Sequence, residues 1–413
     1  MLKKIGTEAK KASKILSSVP EEQKNEALQA MSGNILKDMS YILNENKKDL
    51  IKGEEEGITG ALTDRLTLNS DRVKSMAESL IKLIKQEDPV GKIEKEWTGK
   101  NGLHYKKIRS PFGVIGIIYE ARPNVTSDVG GLCIKSGNAS ILRGSSYSLH
   151  SNIAVLNSLR EGLSSAGLPL TSIQLIEDTS RETSLALMKL TDYVDLLIPR
   201  GGKGLIQSMV ENATVPYILD GDGNVHLYIH EDADREKVNR IVINSKVQRP
   251  GVCNALETLV INSNYLKENG NSVIDELLKN NVEIFIDKSL SKEYPDCKIA
   301  SREDYLTEFH DYKIAIKVVD NLEQAIDHIN TYSSGHTESV LTTDLLVGER
   351  FASSIDSSVV FINASTRFTD GEVFGLGAEI GISTQKLHVR GPMGLEALTS
   401  ERYIVKGDGQ IRE

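Results

Sequence analysis

Gly113-Val114-Ile115-Gly116-Ile117-Ile118-Tyr119 opens a stretch in which short apolar runs alternate with longer segments of helical pattern. Further runs lie at 140–142, 173–176, 194–198 and 217–219, with room for a helix between most neighbours. Apolar runs without alternation are what strands buried on both faces look like, and strands separated by helices build a parallel sheet. The fold class is therefore α/β, a nucleotide-binding architecture by analogy.

Upstream, residues 1 to about 85 have helical spacing: Leu28, Met31, Ile35 and Met39 share one face, and Val73, Met76, Leu80 and Ile84 share another behind an Asn69/Ser70 cap. Between these helices and the first apolar run, 97–105 carries Asn101-Gly102, the pair that favours a hairpin turn. A second αβ region starts near Val225, with apolar runs at 226–229, 258–261, 282–286, 314–318 and 358–362 and a helical pattern over 232–246. A glycine-rich segment, 371–394, and a strand-like end, 403–405, follow. With 413 residues and a prior of roughly 150 per domain, more than one core is required. The expected division is 1–224 with a hairpin projecting at about 93–110, then 225–362, then a return segment 363–413.

There are 58 acidic and 49 basic residues, a net charge of −9, and no basic block, which argues against a nucleic-acid partner. No apolar run approaches the length of a bilayer span, and Met1-Leu2-Lys3-Lys4-Ile5-Gly6-Thr7 continues into a polar helix, so a cytoplasmic protein without a membrane partner is expected. Cys133, Cys253 and Cys297 are odd in number and widely spaced, the pattern of free thiols in a reducing compartment and not of a metal site.

Of these, Cys253 stands in Val247-Gln248-Arg249-Pro250-Gly251-Val252-Cys253-Asn254-Ala255, directly ahead of an apolar strand. A Pro-Gly turn there holds the thiol at a strand start, and Arg249 favours the thiolate, the reactive form. The alternatives are a nucleophile and a small hydrophobe in a core.

Specific motifs run through almost the whole chain: Pro111-Phe112-Gly113-Val114-Ile115-Gly116-Ile117-Ile118-Tyr119-Glu120-Ala121-Arg122-Pro123-Asn124-Val125-Thr126, Ser136-Gly137-Asn138-Ala139-Ser140-Ile141-Leu142-Arg143-Gly144-Ser145, Gly335-His336-Thr337-Glu338, Asn363-Ala364-Ser365-Thr366-Arg367-Phe368-Thr369-Asp370-Gly371, and Gln385-Lys386-Leu387-His388-Val389-Arg390-Gly391-Pro392-Met393-Gly394. In these the sequence closely resembles the γ-glutamyl phosphate reductases of the aldehyde dehydrogenase superfamily. The resemblance implies an aldehyde dehydrogenase-like α/β fold: a parallel-sheet cofactor domain, an αβ catalytic domain carrying the thiol, and a small β-hairpin oligomerisation arm. It implies NADPH-dependent reduction of L-glutamyl 5-phosphate to glutamate 5-semialdehyde, with release of phosphate, in proline biosynthesis. It also implies a homo-oligomer, and leaves open channelling from the glutamate kinase that makes the acyl phosphate.

The same resemblance assigns residues. Cys253 would form a thioester, and its backbone N–H would share the oxyanion with an asparagine, for which Asn124 is the candidate; a helix cap is the alternative for Asn124. Where hydrolytic members carry a general-base glutamate, this chain has Asp220, which a turn Asp220-Gly221-Asp222-Gly223 would explain equally. Arg143, with Ser146 replacing an acid, would favour a 2′-phosphate, a surface ion pair being the alternative for Arg143, and Ser145 is a further cofactor-binding candidate. Gly201 and Gly202 would approach the pyrophosphate and Glu308 the nicotinamide ribose, with a plain turn and a solvated surface position as the alternatives. For substrate, Arg122 and Arg367 would meet anionic groups, Ser365 and Thr366 would donate, Lys386, His388 and Arg390 would meet the leaving phosphate, and Glu379 the ammonium; ion pairs that fix the return segment are the alternative. His336 reads as a positioned hydrogen bonder. The competing functions are a hydrolytic NAD(P)-dependent aldehyde dehydrogenase and a non-catalytic partner of the kinase.

Overall fold

The apolar run at residue 114 is an inner strand of a parallel sheet, and the first helix of the chain packs on that sheet. The computed structural model describes residues 1–58 and 60–412. Contacts sort the chain into one unit of Met1–Leu219, Gly375–Gly381 and Met393–Glu413, and another of Asp220–Phe374 and Ile382–Pro392.

In the first unit, the helices are Leu2–Leu16, Glu21–Lys37, Met39–Glu55, Ala61–Leu66 and Ser70–Ile84. Leu28, Met31 and Ile35 are fully buried. The expected continuation to Met39 fails because the chain leaves the helix at Asp38, whose carboxylate accepts Ser158 Oγ at 2.8 Å, and Met39 starts the next helix. In the fifth helix Val73, Met76 and Leu80 are buried, with Leu83 and not Ile84 closing the face, and Asn69 caps it by accepting the Arg72 N–H at 2.8 Å. The hairpin is β1 (Ile93–Thr98) and β2 (His104–Pro111), antiparallel, with Thr98 opposite His104. Gly102 has φ +79°, where a Cβ is costly. The connection is longer than a two-residue turn, because Gly99 N–H bonds Leu103 O at 2.8 Å and Gly102 N–H bonds Gly99 O at 2.9 Å. Trp97 stacks on Tyr105 with ring centroids 5.2 Å apart. The C-terminal strand Thr399–Lys406 pairs antiparallel with the other edge of β2.

β3 (Val114–Tyr119), β4 (Ala139–Arg143), β5 (Ile173–Leu175) and β6 (Leu196–Arg200) form a parallel sheet in the order β5-β4-β3-β6, and every residue of β3 is buried. The expected strand at 217–219 is only a bridge of Tyr217 to Leu197, since the chain makes two backbone bonds there and then departs.

The second unit is a seven-stranded parallel sheet: β7 (Val225–Ile229), β8 (Leu256–Asn262), β9 (Glu283–Ile286), β10 (Lys298–Ile299), β11 (Lys313–Val319), β12 (Thr337–Leu341) and β13 (Val359–Ile362), ordered β10-β9-β11-β8-β7-β12-β13. A short antiparallel pair, β14 (Ile382–Ser383) and β15 (Gly391–Pro392), lies beyond it in sequence. Leu227, Leu259, Ile261, Ile314 and Ile316 are fully buried in one core with Val238 and Val242 of the helix Arg235–Val247. Each such side chain contributes roughly 2 kcal/mol of burial. That core anchors both elements flanking Cys253. Among the described residues, no helix is long and apolar enough to cross a membrane.

Candidate active site

Helix Arg235–Val247 starts at Asp234, whose Oδ1 accepts the N–H groups of Glu236 and Lys237, and ends just before the loop that carries Cys253 into β8. Asn254 fastens the loop: its Nδ2 donates to Thr369 O at 2.8 Å, and its carbonyl accepts Thr366 Oγ1 at 2.8 Å. Gly223 lies against the other side. A Cβ built there would fall 1.8 Å from the Cys253 carbonyl oxygen and 2.5 Å from its Cα, so only glycine allows this approach. The Gly223 N–H donates to Glu308 Oε1 at 2.8 Å, and Glu308 Oε2 is 3.1 Å from His310 Nε2. The His310 N–H reaches Glu257 Oε1 at 3.3 Å, and Glu257 Oε2 takes Lys246 Nζ at 2.8 Å with both side chains fully buried. Burial pushes the Glu257 carboxyl up and the Lys246 ammonium down, against their mutual attraction.

Cys253 is half-buried. The half-buried Arg367 is held below the ordinary arginine value by burial and by repulsion from Arg249, while Cys253 and Asp370 attract it. Attraction between guanidinium and sulfur stabilises the thiolate in turn. Arg367 Nε also donates to Gln248 Oε1 at 2.9 Å, so the guanidinium is tied to the thiol loop. Ser365 Oγ donates to Asn244 Oδ1 at 2.7 Å and lies 3.0 Å from Ser245 Oγ, and Thr366 is fully buried. Both side chains expected to face substrate are thus engaged in fastening the loop to the preceding helix. Lys386 and Arg390 converge on Asp356, the latter at 2.9 Å through NH2, which with Lys386 holds the Asp356 carboxyl below its usual range; His388 is exposed between them. Asp220 Oδ1 accepts the Ile382 N–H at 2.8 Å, serving the turn's backbone. His336 is fully buried, with Nδ1 2.8 Å from Thr337 Oγ1, and burial takes its imidazole down to about 4, leaving it neutral at pH 7.

In the first unit, the ends of the adjacent strands β3 and β6 bring Glu120, Arg122, Arg200, Gly201 and Gly202 together. Glu120 N–H bonds Arg200 O at 3.1 Å, and the Gly202 N–H, ahead of helix Lys203–Asn212, donates to Glu120 Oε2 at 3.1 Å. Asn124 is the first residue of helix Asn124–Lys135; it does not cap that helix but donates from Nδ2 to Asp128 Oδ2 at 2.9 Å. Burial raises the Asp128 carboxyl to about 6. Arg143 ends β4 and donates from NH2 to the carbonyls of Thr179 and Ser180. Ser145 Oγ accepts the Tyr147 N–H at 3.1 Å, and Glu379 is part-exposed in the segment 375–381.

These residues fit a phosphorylated dinucleotide. Arg143 Nε is buried and, among the described residues, without a hydrogen-bond partner, a donor left for an anion, and the Gly202 N–H already accommodates an anionic oxygen, that of Glu120, which a pyrophosphate would displace. Sequence reasoning missed Asn254, Gly223 and the Lys246–Glu257 pair. Glu257 carried a signal, since a carboxylate inside an apolar strand requires a buried partner.

Two parallel sheets, one of them entered by a thiol-bearing loop, define the aldehyde dehydrogenase class, and the profile of the Aldehyde dehydrogenase family matches residues 2–289. The acetylating aldehyde dehydrogenase of Geobacillus thermoglucosidasius has the same fold at 17% identity, with a TM-score of 0.72 over 100% of this chain and 97% of that one. Within this class the chain belongs to the γ-glutamyl phosphate reductase family. It is 49% identical over 407 residues to the γ-glutamyl phosphate reductase of Clostridium botulinum (strain Eklund 17B / Type B), covering 98% of each. The crystal structure of the Thermotoga maritima γ-glutamyl phosphate reductase superposes with a TM-score of 0.97 at 42% identity, covering 100% of both chains.

Proposed function

We propose that this chain catalyses the NADPH-dependent reduction of L-glutamyl 5-phosphate to L-glutamate 5-semialdehyde, releasing phosphate, as a step of proline biosynthesis. Full-length similarity to γ-glutamyl phosphate reductases supports the reaction. The observation that carries the chemistry is Cys253, held by Asn254 and Gly223 beside the Arg367 guanidinium.

The Cys253 thiolate attacks the acyl carbon, the carbon–oxygen bond to phosphate breaks, and phosphate leaves with that electron pair as a thioester forms. NADPH, when bound, supplies the hydride that reduces the thioester. The oxyanion left on the former acyl carbon needs fixed donors, for which the Cys253 backbone N–H and the Asn124 amide, oriented by Asp128, are the candidates. Its collapse frees the aldehyde and restores the thiolate. Arg367 and Arg122 suit the substrate's anionic groups, with Glu379 for its ammonium. Thr366 acts by holding the loop at Asn254 and Ser365 by tying the same segment to the helix before it, and Lys386 and Arg390 meet phosphate only in competition with Asp356. Phosphate, not water, resolves the thioester in reverse, which matches Asp220 being engaged by backbone. The exposed Ile93, Tyr403, Ile404 and Val405 of the three-stranded arm suit a contact between copies.

Purified protein given glutamate 5-semialdehyde and NADP⁺ is expected to form NADPH only when inorganic phosphate is added. Turnover at the same rate without phosphate would replace this reading with a hydrolytic dehydrogenase. Arg143→Ala is expected to weaken NADPH binding about tenfold or more, the value of a charge-assisted hydrogen bond to phosphate, and to leave NADH binding nearly unchanged. Fluorescence titration with both nucleotides checks this, and an equal loss for both would remove the 2′-phosphate from the role of Arg143.

A further inference from the structure

Family likeness assigns Glu308 to the cofactor's nicotinamide ribose, yet both its carboxylate oxygens are engaged within the protein. One accepts the Gly223 N–H at 2.8 Å and the other pairs with the His310 ring at 3.1 Å, and the side chain is only 4% exposed. Gly223 in turn stands so close to Cys253 that no side chain fits between them. We propose that Glu308 is a positioning residue for the nucleophile, holding the Gly223 backbone against Cys253 and so fixing where the sulfur stands; this rests on Cys253 being the nucleophile.

The contact is backed on every side. Behind Glu308, His310 adopts φ +55°, an unfavourable region for a side chain, and in that conformation presents its ring to Glu308 and its N–H to Glu257. Glu257 is itself fixed by the buried Lys246 at the end of the helix that precedes the thiol loop. Thus one chain of bonds starts where the loop leaves its helix and returns to the loop at Cys253. On the other side of Gly223, Asn224 donates from Nδ2 to the carbonyls of Tyr305 and Tyr332 at 2.8 and 2.7 Å, and from N–H to Ser334 Oγ at 3.0 Å. With its neighbour pinned, Gly223 transmits the pull of Glu308 to the backbone of Cys253 and does not rotate away.

The test reads acyl transfer without cofactor. Enzyme free of nucleotide is treated with acetyl phosphate and acylation of Cys253 is followed by mass spectrometry, in the wild type, Glu308→Ala, Glu308→Gln and His310→Ala, with the NADPH dissociation constant measured for each. Loss of the carboxylate's charge alone favours the thiolate and quickens acylation. A slower alanine variant therefore reports displaced geometry. Glu308→Ala is expected to acylate about tenfold more slowly, as misplacement of a reacting group predicts, while Glu308→Gln, whose amide oxygen still accepts the Gly223 N–H, stays at or above the wild-type rate. NADPH affinity is expected to be unchanged in both. Unaltered acylation with NADPH binding weakened in both Glu308 variants would overturn the proposal and return Glu308 to the ribose. If Glu308→Ala loses its cooperative melting transition, His310→Ala, whose ring is half exposed, replaces it: slower acylation supports the proposal and an unchanged rate overturns it. Wild-type turnover that survives complete alkylation of Cys253 would overturn the nucleophile reading itself, a result distinguishable because it needs no variant.

Discussion

Cys253→Ala is expected to lower turnover by about a thousandfold or more, because removal of a covalent nucleophile leaves only substrate binding and oxyanion stabilisation. No other thiol can take its place. Cys133 is fully buried in helix Asn124–Lys135, where burial drives its thiol far up and keeps it protonated. Cys297 lines a separate cavity with Leu278, Tyr294 and Lys298, and burial raises its thiol as well. Cys253→Ser is expected to fare little better, since a serine hydroxyl has no base on the loop and stays protonated at neutral pH. The assay is NADP⁺ reduction by glutamate 5-semialdehyde in phosphate, with the NADP⁺ dissociation constant and melting temperature measured beside it. Both of those should stay near the wild-type values. Activity within tenfold of wild type would remove Cys253 from the chemistry, whatever the family. Iodoacetamide should also label Cys253 ahead of Cys133 and Cys297 near pH 7, because a guanidinium is attracted to it while burial raises the other two thiols.

Much of the fold was legible because buried parallel strands advertise themselves. All of β3 and β8 is buried; β3 is a continuous apolar run, and Leu259–Ile261 supply one inside β8. β12 was illegible for the opposite reason. Its Thr337, Glu338 and Ser339 are fully buried, but their polar atoms are satisfied inside the unit, Glu338 by the His226 N–H at 2.7 Å. Hydropathy cannot see that compensation, which comes from a strand more than a hundred residues earlier. The same limit governs the site. The Cys253 loop was visible as a turn before a strand, and Arg367 as a cation in a motif, but nothing local reveals that Thr366 spends its hydroxyl on the carbonyl of Asn254 or that Ser365 bonds to Asn244. Residue type marked these positions as important, while the partners of their hydroxyls lie more than a hundred residues earlier, out of reach of any local reading. Asp220-Gly221-Asp222-Gly223 is the sharpest case. It reads as a turn or as an aspartate at the general-base position, and the close contact with Cys253 is made by Gly223, at which any side chain would collide.

Gly223→Ala is accordingly expected to cost about a hundredfold in turnover, the scale of a misplacement near 1 Å at a reacting group. Gly223 does not have a positive φ, so alanine carries no backbone penalty there. The whole effect comes from a methyl group 1.8 Å from the Cys253 carbonyl oxygen, far inside contact distance. Either the glycine segment or the thiol loop must yield. The segment is held by Gly221 N–H to Ile382 O at 2.8 Å, Gly223 N–H to Glu308 and three donors of Asn224, whereas the loop begins at a Pro-Gly turn and is gripped mainly through Asn254. The loop therefore moves, and the thiol with it. Overpacking of this kind also costs about 1–3 kcal/mol, so the melting temperature should fall by several degrees without loss of cooperativity. Gly33→Ala, in helix Glu21–Lys37 where, among the described residues, nothing outside the helix's own backbone lies within 4 Å of the new methyl, supplies the comparison and should keep both activity and stability. If Gly223→Ala keeps wild-type turnover while Gly33→Ala behaves as expected, the thiol loop tolerates displacement, and the fixed position of Cys253 is not what the reaction requires.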